Sequence, residues 1–365
     1  MSSSTDTTAP LRIASRQWDY DVLFASTIAE AEPLAADGYA NLLVICDSNV
    51  AELHREALTP LLQKNPSYIV DPTEETKSLA GSELLVNWLI EQGATRSTTL
   101  LAVGGGTIQD VVSFVAHIYF RGIDWVFLPT TVLSQADSCI GAKSSINVLP
   151  YKNQLGSLHS PKRIVITTEF LSTLPDVEIE SGYGEIVKLS VISSRYFIDQ
   201  LESALADGGV RNNQLLALTR ASLFAKQEII EIDEYEEDLR RILNYGHSFG
   251  HALEAVAKHQ VPHGLGVLWG IGIVNWLGVK WGITDPLAAA RLDLLIRANF
   301  DYRLPIVPTA DDLLTMLARD KKVRNGSMYF AVLVKEGELV IEPKAIDADL
   351  KALVEEYLAT DYLFK

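Results

Sequence analysis

Four of the seven histidines in this chain lie between residues 247 and 263, and three of them, His247, His251 and His263, are candidate metal ligands. His247 and His251 lie four residues apart in NYGHSFGH, before the apolar run ALEAV, and His263 follows in VPHG. In a helix, residues four apart share one face, so the pair can bind one metal ion or have separate roles. A pair of capping or core histidines is the alternative. Glu185 would complete a site of one carboxylate and two imidazoles, which is typical of catalytic zinc.

The segment LLAVGGGTIQD, residues 100–110, predicts a buried strand that turns into a helix at three glycines. Without Cβ atoms the backbone can approach a pyrophosphate, and the N-terminus of the helix offers free N–H groups to an anion. The pattern is GGGxxxD and not G-x-G-x-x-G, so a tight structural turn is the alternative to nucleotide binding.

Three other segments carry lysines that could bind an anion. DSCIGAKSSINVLPYKNQLG, residues 137–156, is rich in turn-forming residues and predicts a loop that grips a phosphate, or a solvated loop. Glu185 and Lys188 are three residues apart in an apolar helix, where a buried functional pair competes with a surface ion pair. Lys321 precedes a predicted strand, where the common interpretation is a solvated turn.

Helices and strands must position these residues, and the hydrophobic pattern that predicts those elements changes along the chain. Short β-branched runs alternate with helical patterns in the first half, which predicts an α/β domain with a parallel sheet over residues 1–170. Residues 1–11 are polar and predict a disordered tail. Long helical periods dominate residues 171–365 and predict a mainly helical domain, with late strands at 327–334 and 338–343.

The composition excludes several classes of protein. The 365 residues carry a formal charge of −16, which argues against a nucleic-acid or anionic-membrane partner. We see no apolar run near the ~20 residues of a membrane helix, and no secretory signal. Cys46 and Cys139 each lie in an apolar stretch, so we expect no disulfide and a cytoplasmic location. An anionic substrate would need lysines and arginines gathered locally.

The order of these motifs resembles the 3-dehydroquinate synthases and related sugar phosphate cyclases, from about residue 40 to 335. GGGTIQD is similar to the family's GGGxxxD, and RGIDWVFLPTTVLSQADSCIGAK resembles its RGxxxxxxPTTxLAxxDSSVGGK. YKNQLG, SGYGEIVK, DEYEEDLRRILNYGHSFGHALE and HG follow in the family's order and spacing. The resemblance implies a Rossmann-like α/β domain followed by a mainly α-helical domain, as in dehydroquinate synthase.

The resemblance also implies roles for individual residues. It gives metal binding, of zinc or cobalt, to Glu185, His247 and His263, and places His251 near the substrate phosphate and not on the metal. It gives NAD binding to Asp47, Glu74, Lys77, Gly104, Gly105, Asp110, Thr130 and Thr131. It implies catalytic roles for Asp137, Lys143, Lys188, Asn244 and His251, and substrate binding by Arg121, Lys152, Asn153, Lys226, Arg240 and Lys321. Arg121 would reach the phosphate of a neighbouring subunit in a homodimer.

The implied reaction uses NAD for transient oxidation of a ring carbon, loses phosphate, and closes the ring by an intramolecular aldol step. The family holds a substrate carboxylate with a Lys and an Arg that match Lys226 and Arg240, which favours 3-deoxy-D-arabino-heptulosonate 7-phosphate and the product 3-dehydroquinate. Three segments depart from the family pattern: this chain has IGAK where the family has VGGK, SSIN where it has TGVN, and HGLGV where it has HGEAV. These departures leave open a cyclase that acts on neutral sugar phosphates. A metal-dependent polyol dehydrogenase and a catalytically silent NAD-binding protein are the remaining alternatives.

Overall fold

The computed structural model describes residues 9–148, 151–320, 323–324 and 326–365. The chain forms two compact units, Met1–Pro175 and Asp176–Lys365. The first unit is built on a mainly parallel sheet and the second is mainly helical, so the predicted fold class is confirmed. Among the described residues, no helix combines the length and apolar character needed to span a membrane.

The first unit alternates strands and helices. Its strands are β1 (Leu11–Ile13), β2 (Tyr20–Phe24), β3 (Leu42–Asp47), β4 (Ser67–Val70), β5 (Thr99–Gly104), β6 (Asp124–Pro129), β7 (Lys143–Val148), β8 (Tyr151–Leu158) and β9 (Arg163–Ile166). Its helices are α1 (Ile28–Ala36), α2 (Ser48–Leu53), α3 (Arg55–Lys64), α4 (Leu79–Glu91) and α5 (Gly106–Ile118), with short turns of helix at Tyr119–Arg121, Ser134–Ser138 and Thr168–Thr173.

Seven of these strands form one sheet in the order β1-β2-β9-β6-β5-β3-β4, with only the β1–β2 pair antiparallel. Every residue of β3 and β5 is buried, as expected for strands covered on both faces. From β3 the chain moves outward to β4, and from β5 it moves the other way to β6 and β9. The carboxyl ends of β3 and β5 therefore meet where the strand order reverses, the usual ligand-binding crevice of such sheets.

Local structure in this unit departs from the prediction at three places. Leu11 pairs with Val22 in a hairpin, so the predicted tail ends before Leu11. The helical segment after Asp47 is interrupted at His54, whose Nε2 lies 2.8 Å from Thr173 Oγ1. The segment predicted as a loop holds the antiparallel hairpin β7–β8, because long-range pairing supplies the order that local turn propensity does not predict.

The second unit contains the helices α6 (Asp176–Ser193), α7 (Arg195–Gly208), α8 (Leu215–Ile230), α9 (His247–Val256), α10 (His263–Lys280), α11 (Pro286–Asn299), α12 (Ala310–Leu317) and α13 (Ala348–Ala359). Short 3₁₀ helices lie at Gly209–Arg211 and Leu239–Asn244. The strands β10 (Val323–Arg324), β11 (Ser327–Lys335) and β12 (Glu338–Ala345) form an antiparallel sheet in that order. The late strands predicted from sequence are present.

Glycines allow three helices of this unit to approach closely. A Cβ on Gly264, beside His263 in α10, would overlap the backbone carbonyl of Ser181 in α6. A Cβ on Gly270 in α10 would overlap the backbone carbonyl of Gly246, which precedes α9. Glycine is needed at positions where two backbones touch. These glycines therefore allow α6, α9 and α10 to pack closely against one another. These helices carry Glu185, His247 and His263.

Candidate functional site

Side chains from α6, α9 and α10 converge in the second unit. His247 and His263 are the first residues of α9 and α10, and Glu185 lies within the buried part of α6. Glu185 Oε1 is 3.5 Å from Nε2 of His247 and 3.2 Å from Nε2 of His263. A carboxylate and two imidazoles from three elements therefore face one point.

Contacts at the far side of each ring indicate which nitrogen carries the proton. Nδ1 of His247 lies 3.1 Å from the carbonyl oxygen of Tyr245, and Nδ1 of His263 lies 2.9 Å from Oε1 of Glu254. Carbonyl and carboxylate oxygens only accept, so each Nδ1 donates a proton to its partner. In the neutral ring, each Nε2 then carries a lone pair directed at the Glu185 side, which is the state a metal ligand requires.

His251 joins the cluster from one turn further along α9. One ring nitrogen from each of His247, His251 and His263 lies within 4.8 Å of the others. The ring centroids of His251 and His263 are 5.5 Å apart, and those of His247 and His251 are 5.3 Å apart. The geometry thus offers two overlapping donor sets, one with Glu185 and one with His251.

Glu185 is an anion buried to 1% exposure, and Lys188, at 2%, forms an ion pair with it. Burial would raise the pKa of the Glu185 carboxyl, but the positive charges of Lys188 and of protonated His263 hold it below its usual value. Neither Glu185 oxygen accepts a well-directed hydrogen bond from the described residues. A buried carboxylate beside two Nε2 atoms, each of which can give up its proton to bind a metal, fits a divalent cation.

The charge around His263 is also unusual. Burial alone would lower the pKa of its imidazole, but the carboxylates of Glu254 and Glu185 raise that pKa to about 10. Burial would raise the pKa of Glu254, and the neighbouring His263 lowers it instead. Two carboxylates thus concentrate negative charge around one imidazole, an environment that favours any cation placed between them.

The residues predicted to hold a substrate carboxylate are both buried in this unit. Lys226 lies in α8 at 6% exposure, and Arg240 lies in the 3₁₀ helix Leu239–Asn244 at 4%. The Arg240 guanidinium donates to the carbonyl of Glu234, and its backbone N–H donates to Oδ2 of Asp233 at 3.0 Å. Because α8 is in contact with this 3₁₀ helix, two cations are brought to one region.

Asn244 ends the same 3₁₀ helix and is half-buried. Its Nδ2 donates to Oε1 of Glu236 at 2.6 Å and to the carbonyl of Arg241 at 3.2 Å. Glu236 thereby holds the side chain of Asn244 in place.

In the first unit, five of the predicted NAD-binding residues lie together at the carboxyl ends of β3, β5 and β6. A Cβ on Gly104 would overlap Ile108 and come within 3.2 Å of Asp47 Cβ, and one on Gly105 would lie 2.9 Å from Thr131 Cγ2. The backbone N–H of Thr130 donates to the Gly104 carbonyl at 3.0 Å. Gly105 precedes α5 as its N-terminal cap residue and has no side chain to cap it, so the N–H groups of the first turn are available to an anion.

The other three predicted NAD-binding residues belong to a polar network. Lys77 Nζ lies 2.7 Å from Asp110 Oδ2, and Ser145 donates its backbone N–H to Asp110 Oδ1 at 2.9 Å. Burial raises the pKa of Asp110, and Lys77 and Ser145 oppose that effect. Glu74 Oε2 accepts from Nδ2 of Asn147 at 2.6 Å, so the hairpin β7–β8 is tied to α5 and to the segment before α4.

Lys143, Lys152 and Asn153, which were predicted to bind the substrate or to act on it, lie in that hairpin. Lys143 begins β7 and is exposed, and Asn153 lies in β8, where its Oδ1 is 2.9 Å from Ser145 Oγ. Asp137 lies in the single turn Ser134–Ser138, and the exposed Arg121 has a left-handed backbone with φ of 69°. The side chain of Lys152 and the whole of Lys321 lie outside the described residues.

Two residues at these sites were not predicted. Glu254 contacts the histidine cluster, and Ser145 connects Asp110 to Asn153. Glu254 lies three residues after His251 on the same helical face, and an acidic residue in the apolar run ALEAV was the available signal. Ser145 belongs to the SSIN departure, but its partner Asp110 is distant in sequence.

Comparisons with known proteins identify the family of this chain. The family description 3-dehydroquinate synthase N-terminal matches residues 67–181, and 3-dehydroquinate synthase C-terminal matches residues 182–323. The 3-dehydroquinate synthase of Rhodospirillum rubrum is 37% identical in an alignment 339 residues long, which covers 87% of this chain and 86% of that protein. The 2-epi-valiolone synthase of Actinosynnema mirum is 33% identical over 85% of this chain and 84% of that protein.

A solved structure has the same fold. The 2-epi-5-epi-valiolone synthase from Streptomyces hygroscopicus subsp. jinggangensis, described with NAD⁺ and Zn²⁺ bound, aligns with a TM-score of 0.82. It is 27% identical and covers 94% of this chain and 99% of its own. The chain belongs to the 3-dehydroquinate synthase family and is an enzyme of that family, a sugar phosphate cyclase.

Proposed function

We propose that this enzyme cyclises a C7 sugar phosphate with loss of phosphate, using NAD and a divalent metal. We further propose 3-deoxy-D-arabino-heptulosonate 7-phosphate as the substrate and 3-dehydroquinate as the product. The observation that carries the first proposal is the convergence of Glu185, His247 and His263 in a chain of this family. The identity of the substrate rests on Lys226 and Arg240.

Glu185, His247 and His263 would hold the metal, zinc or alternatively cobalt. The crevice residues Asp47, Gly104, Gly105, Thr130 and Thr131, with Glu74, Lys77 and Asp110, would hold NAD. The bound groups would supply reversible oxidation of a ring carbon and polarisation of its oxygen. The metal and NAD⁺ of the similar Streptomyces enzyme support this assignment.

The chain's own cations and amides would bind and orient the sugar phosphate. Lys188 forms an ion pair with Glu185, so its ammonium group lies beside the carboxylate that is proposed to bind the metal. His251 and Asn244 are assigned to the substrate, since one lies in the histidine cluster and the other is held by Glu236. Phosphate binding is assigned to Lys143, Lys152 and Asn153 with Arg121 and Lys321, and Asp137 is assigned a catalytic role.

The preference for an acid substrate follows from burial. Lys226 and Arg240 are cations with little access to water, and a guanidinium can bind a carboxylate through two parallel hydrogen bonds. A substrate carboxylate would place an anion beside both cations and could accept hydrogen bonds from both. A neutral sugar phosphate has no such group, which makes the acid the better fit.

A neutral substrate such as sedoheptulose 7-phosphate is favoured by a different observation. The family pattern has an acid where Leu265 stands, and Leu265 is fully buried, so this position cannot contact a polar group as an acid would. The 33% identity to a 2-epi-valiolone synthase agrees with this alternative. A polyol dehydrogenase is the third candidate, and it would turn over NAD⁺ without releasing phosphate.

We also propose that the enzyme is a cytoplasmic homodimer. Neither Cys46 nor Cys139 forms a disulfide, and both are buried, as expected in a reducing compartment. Arg121 lies beside the exposed side chain of Phe120, a surface that suits a neighbouring subunit. Light scattering of the purified enzyme tests the dimer.

The test of the proposed function is release of phosphate from a panel of sugar phosphates, with and without NAD⁺ and zinc. The panel contains the heptulosonate 7-phosphate, sedoheptulose 7-phosphate and glucose 6-phosphate. We expect rapid release from the acid, dependent on both additions. Preferred release from sedoheptulose 7-phosphate would support the neutral alternative, and net reduction of NAD⁺ with no phosphate would identify a dehydrogenase.

A further inference from the structure

Glu254 is placed to act on the predicted metal site through His263. It lies in α9, the helix that also carries His247, and its side chain is 16% exposed. Its Oε1 lies 2.9 Å from Nδ1 of His263, while Nε2 of the same ring lies 3.2 Å from Glu185. The imidazole is therefore held between two carboxylates, one on each nitrogen.

Gly266 provides the space for this contact. It lies three residues after His263 in α10, and a Cβ there would come within 3.3 Å of both Cγ and Oε1 of Glu254. Those distances are shorter than the ~3.5–4.0 Å of relaxed non-bonded contacts. The same Cβ would lie 3.5 Å from the Gly250 carbonyl, so the helix backbone accepts it, and the Glu254 side chain would have to shift by a few tenths of an ångström.

We propose that Glu254 is a positioning residue for the metal site. Its carboxylate accepts the Nδ1 proton of His263, fixes the tautomer whose lone pair is on Nε2, and sets the direction of the ring. Gly266 preserves the room that the carboxylate occupies. This inference rests on the proposed role of His263 as a metal ligand. His247 has a backbone carbonyl in the equivalent place, so Glu254 is the partner that mutation can remove.

The test measures zinc affinity of the purified full-length enzyme by competition with a chromophoric chelator. Glu254→Gln keeps the size of the side chain but loses its charge, and its amide can also donate to Nδ1 and stabilise the wrong tautomer. Loss of such a partner typically costs 10–100-fold in metal affinity, and we expect about that loss for Glu254→Gln. Glu356→Gln is the control, because Glu356 is an exposed carboxylate paired with Lys280 at 2.6 Å.

A second variant keeps the proposal testable if Glu254→Gln folds poorly. Gly266→Ala should also weaken zinc binding, and the Co²⁺-loaded protein should show a changed visible spectrum because the His263 ring is re-aimed. If Gly266 acts through Glu254, the loss from Gly266→Ala should shrink in the Glu254→Gln background. Additive losses would overturn the role of Gly266.

The variant His263→Ala separates the positioning role of Glu254 from the proposal that His263 binds the metal. If His263→Ala loses zinc while Glu254→Gln binds it as tightly as the wild type, the positioning role is wrong and the metal site stands. If His263→Ala retains full affinity, the ligand assignment fails, and the role of Glu254 fails with it.

Discussion

At the residue scale, the two histidines of NYGHSFGH differ in their surroundings although their spacing suggests equivalence. His247 begins α9, and its Nδ1 is held by a backbone carbonyl, so its Nε2 faces Glu185. His251 lies one turn later and contacts the other two rings. The structure permits a site with three histidines and a site with Glu185. We propose the second, because Glu185 is a buried anion that faces Nε2 of both His247 and His263.

The ligand sets can be separated by metal analysis. We expect Glu185→Gln and His263→Ala to lose most of the bound zinc, since each removes a donor and leaves two. His251→Ala should keep its zinc and lose activity. Elemental analysis of the purified proteins measures the stoichiometry, and activity is measured on the same samples. Zinc lost from His251→Ala but kept by Glu185→Gln would establish the three-histidine site.

Ala142 supports a prediction about stability. It replaces the second glycine of the family's VGGK, and its φ is 61°, in the left-handed region. That conformation costs an alanine about 1–2 kcal/mol, which glycine avoids. We expect Ala142→Gly to be less destabilising than Ala102→Gly by about that amount, because Ala102 is also buried but lies in the extended strand β5. Urea unfolding of both variants measures the difference, and equal losses would contradict it.

The site residues were predictable where a single short motif contains both the residue and the neighbours that determine its environment. Glu185 and Lys188 lie three apart, and the apolar helix around them favoured the buried pair that the structure contains. Glu254 was missed because the contact with His263 depends on how α9 and α10 lie together, and an acid in a helix is more often solvated. The close approach permitted by Gly264 and Gly270 is visible only in three dimensions.

At the element scale, the turn from β5 into α5 is the part of the nucleotide site that sequence defines best. Gly106 begins α5, and a Cβ added there would meet nothing within 4 Å. Gly106→Ala should therefore fold as the wild type does, with up to ~1 kcal/mol of added stability from a less flexible unfolded chain. If the pyrophosphate of NAD lies against this turn, the added methyl group should weaken NAD binding at least ~10-fold. Isothermal titration with NAD⁺ measures this.

Gly104→Ala is the contrasting variant in the same turn. A Cβ at Gly104 would overlap the side chain of Ile108, so we expect the protein to lose stability whether or not NAD is present. The melting temperature should fall for Gly104→Ala and not for Gly106→Ala. If Gly106→Ala binds NAD⁺ with unchanged affinity, the pyrophosphate does not lie at this turn, and another part of the crevice must bind it.

The elements themselves differ in how far sequence predicts them. Strands β3, β5 and β6 are buried on both faces, so they are short continuous apolar runs that can be recognised without tertiary information. The hairpin β7–β8 is polar and turn-rich, and its order comes from the bonds of Ser145 to Asp110 and of Asn147 to Glu74. Those partners are distant in sequence, so no local pattern encodes the pairing.

At the scale of the whole molecule, a chain of charge −16 is proposed to bind an anionic substrate. Such an enzyme gains nothing from long-range attraction, because the overall field repels an anion. Screening limits that field to roughly 8 Å at physiological ionic strength, so local contacts decide binding. In the second unit, Lys188, Lys226 and Arg240 are buried, where solvent screens their charge least.

Arg240→Leu tests whether one of these buried charges selects the substrate. A charged hydrogen bond contributes about 1.5–3 kcal/mol, so kcat/KM for the heptulosonate phosphate should fall at least ~10-fold. Sedoheptulose 7-phosphate has no carboxylate, and its kcat/KM should change much less. Arg241→Leu, on the same 3₁₀ helix, is the matched control, and it should leave the ratio of the two values unchanged.

The ratio of the kcat/KM values for the two substrates is the informative quantity, because Arg240 also has a structural partner. Its guanidinium donates to the Glu234 carbonyl, so Arg240→Leu will reduce stability and can lower both kcat/KM values together. Arg240→Lys keeps the charge but loses the planar fork, and it should recover part of the activity on the acid. A uniform loss on both substrates in Arg240→Leu, with no partial recovery in Arg240→Lys, would make Arg240 a structural anchor. Efficient turnover of sedoheptulose 7-phosphate by the wild type would then identify the neutral sugar as the substrate, and the buried Leu265 as the better guide to it.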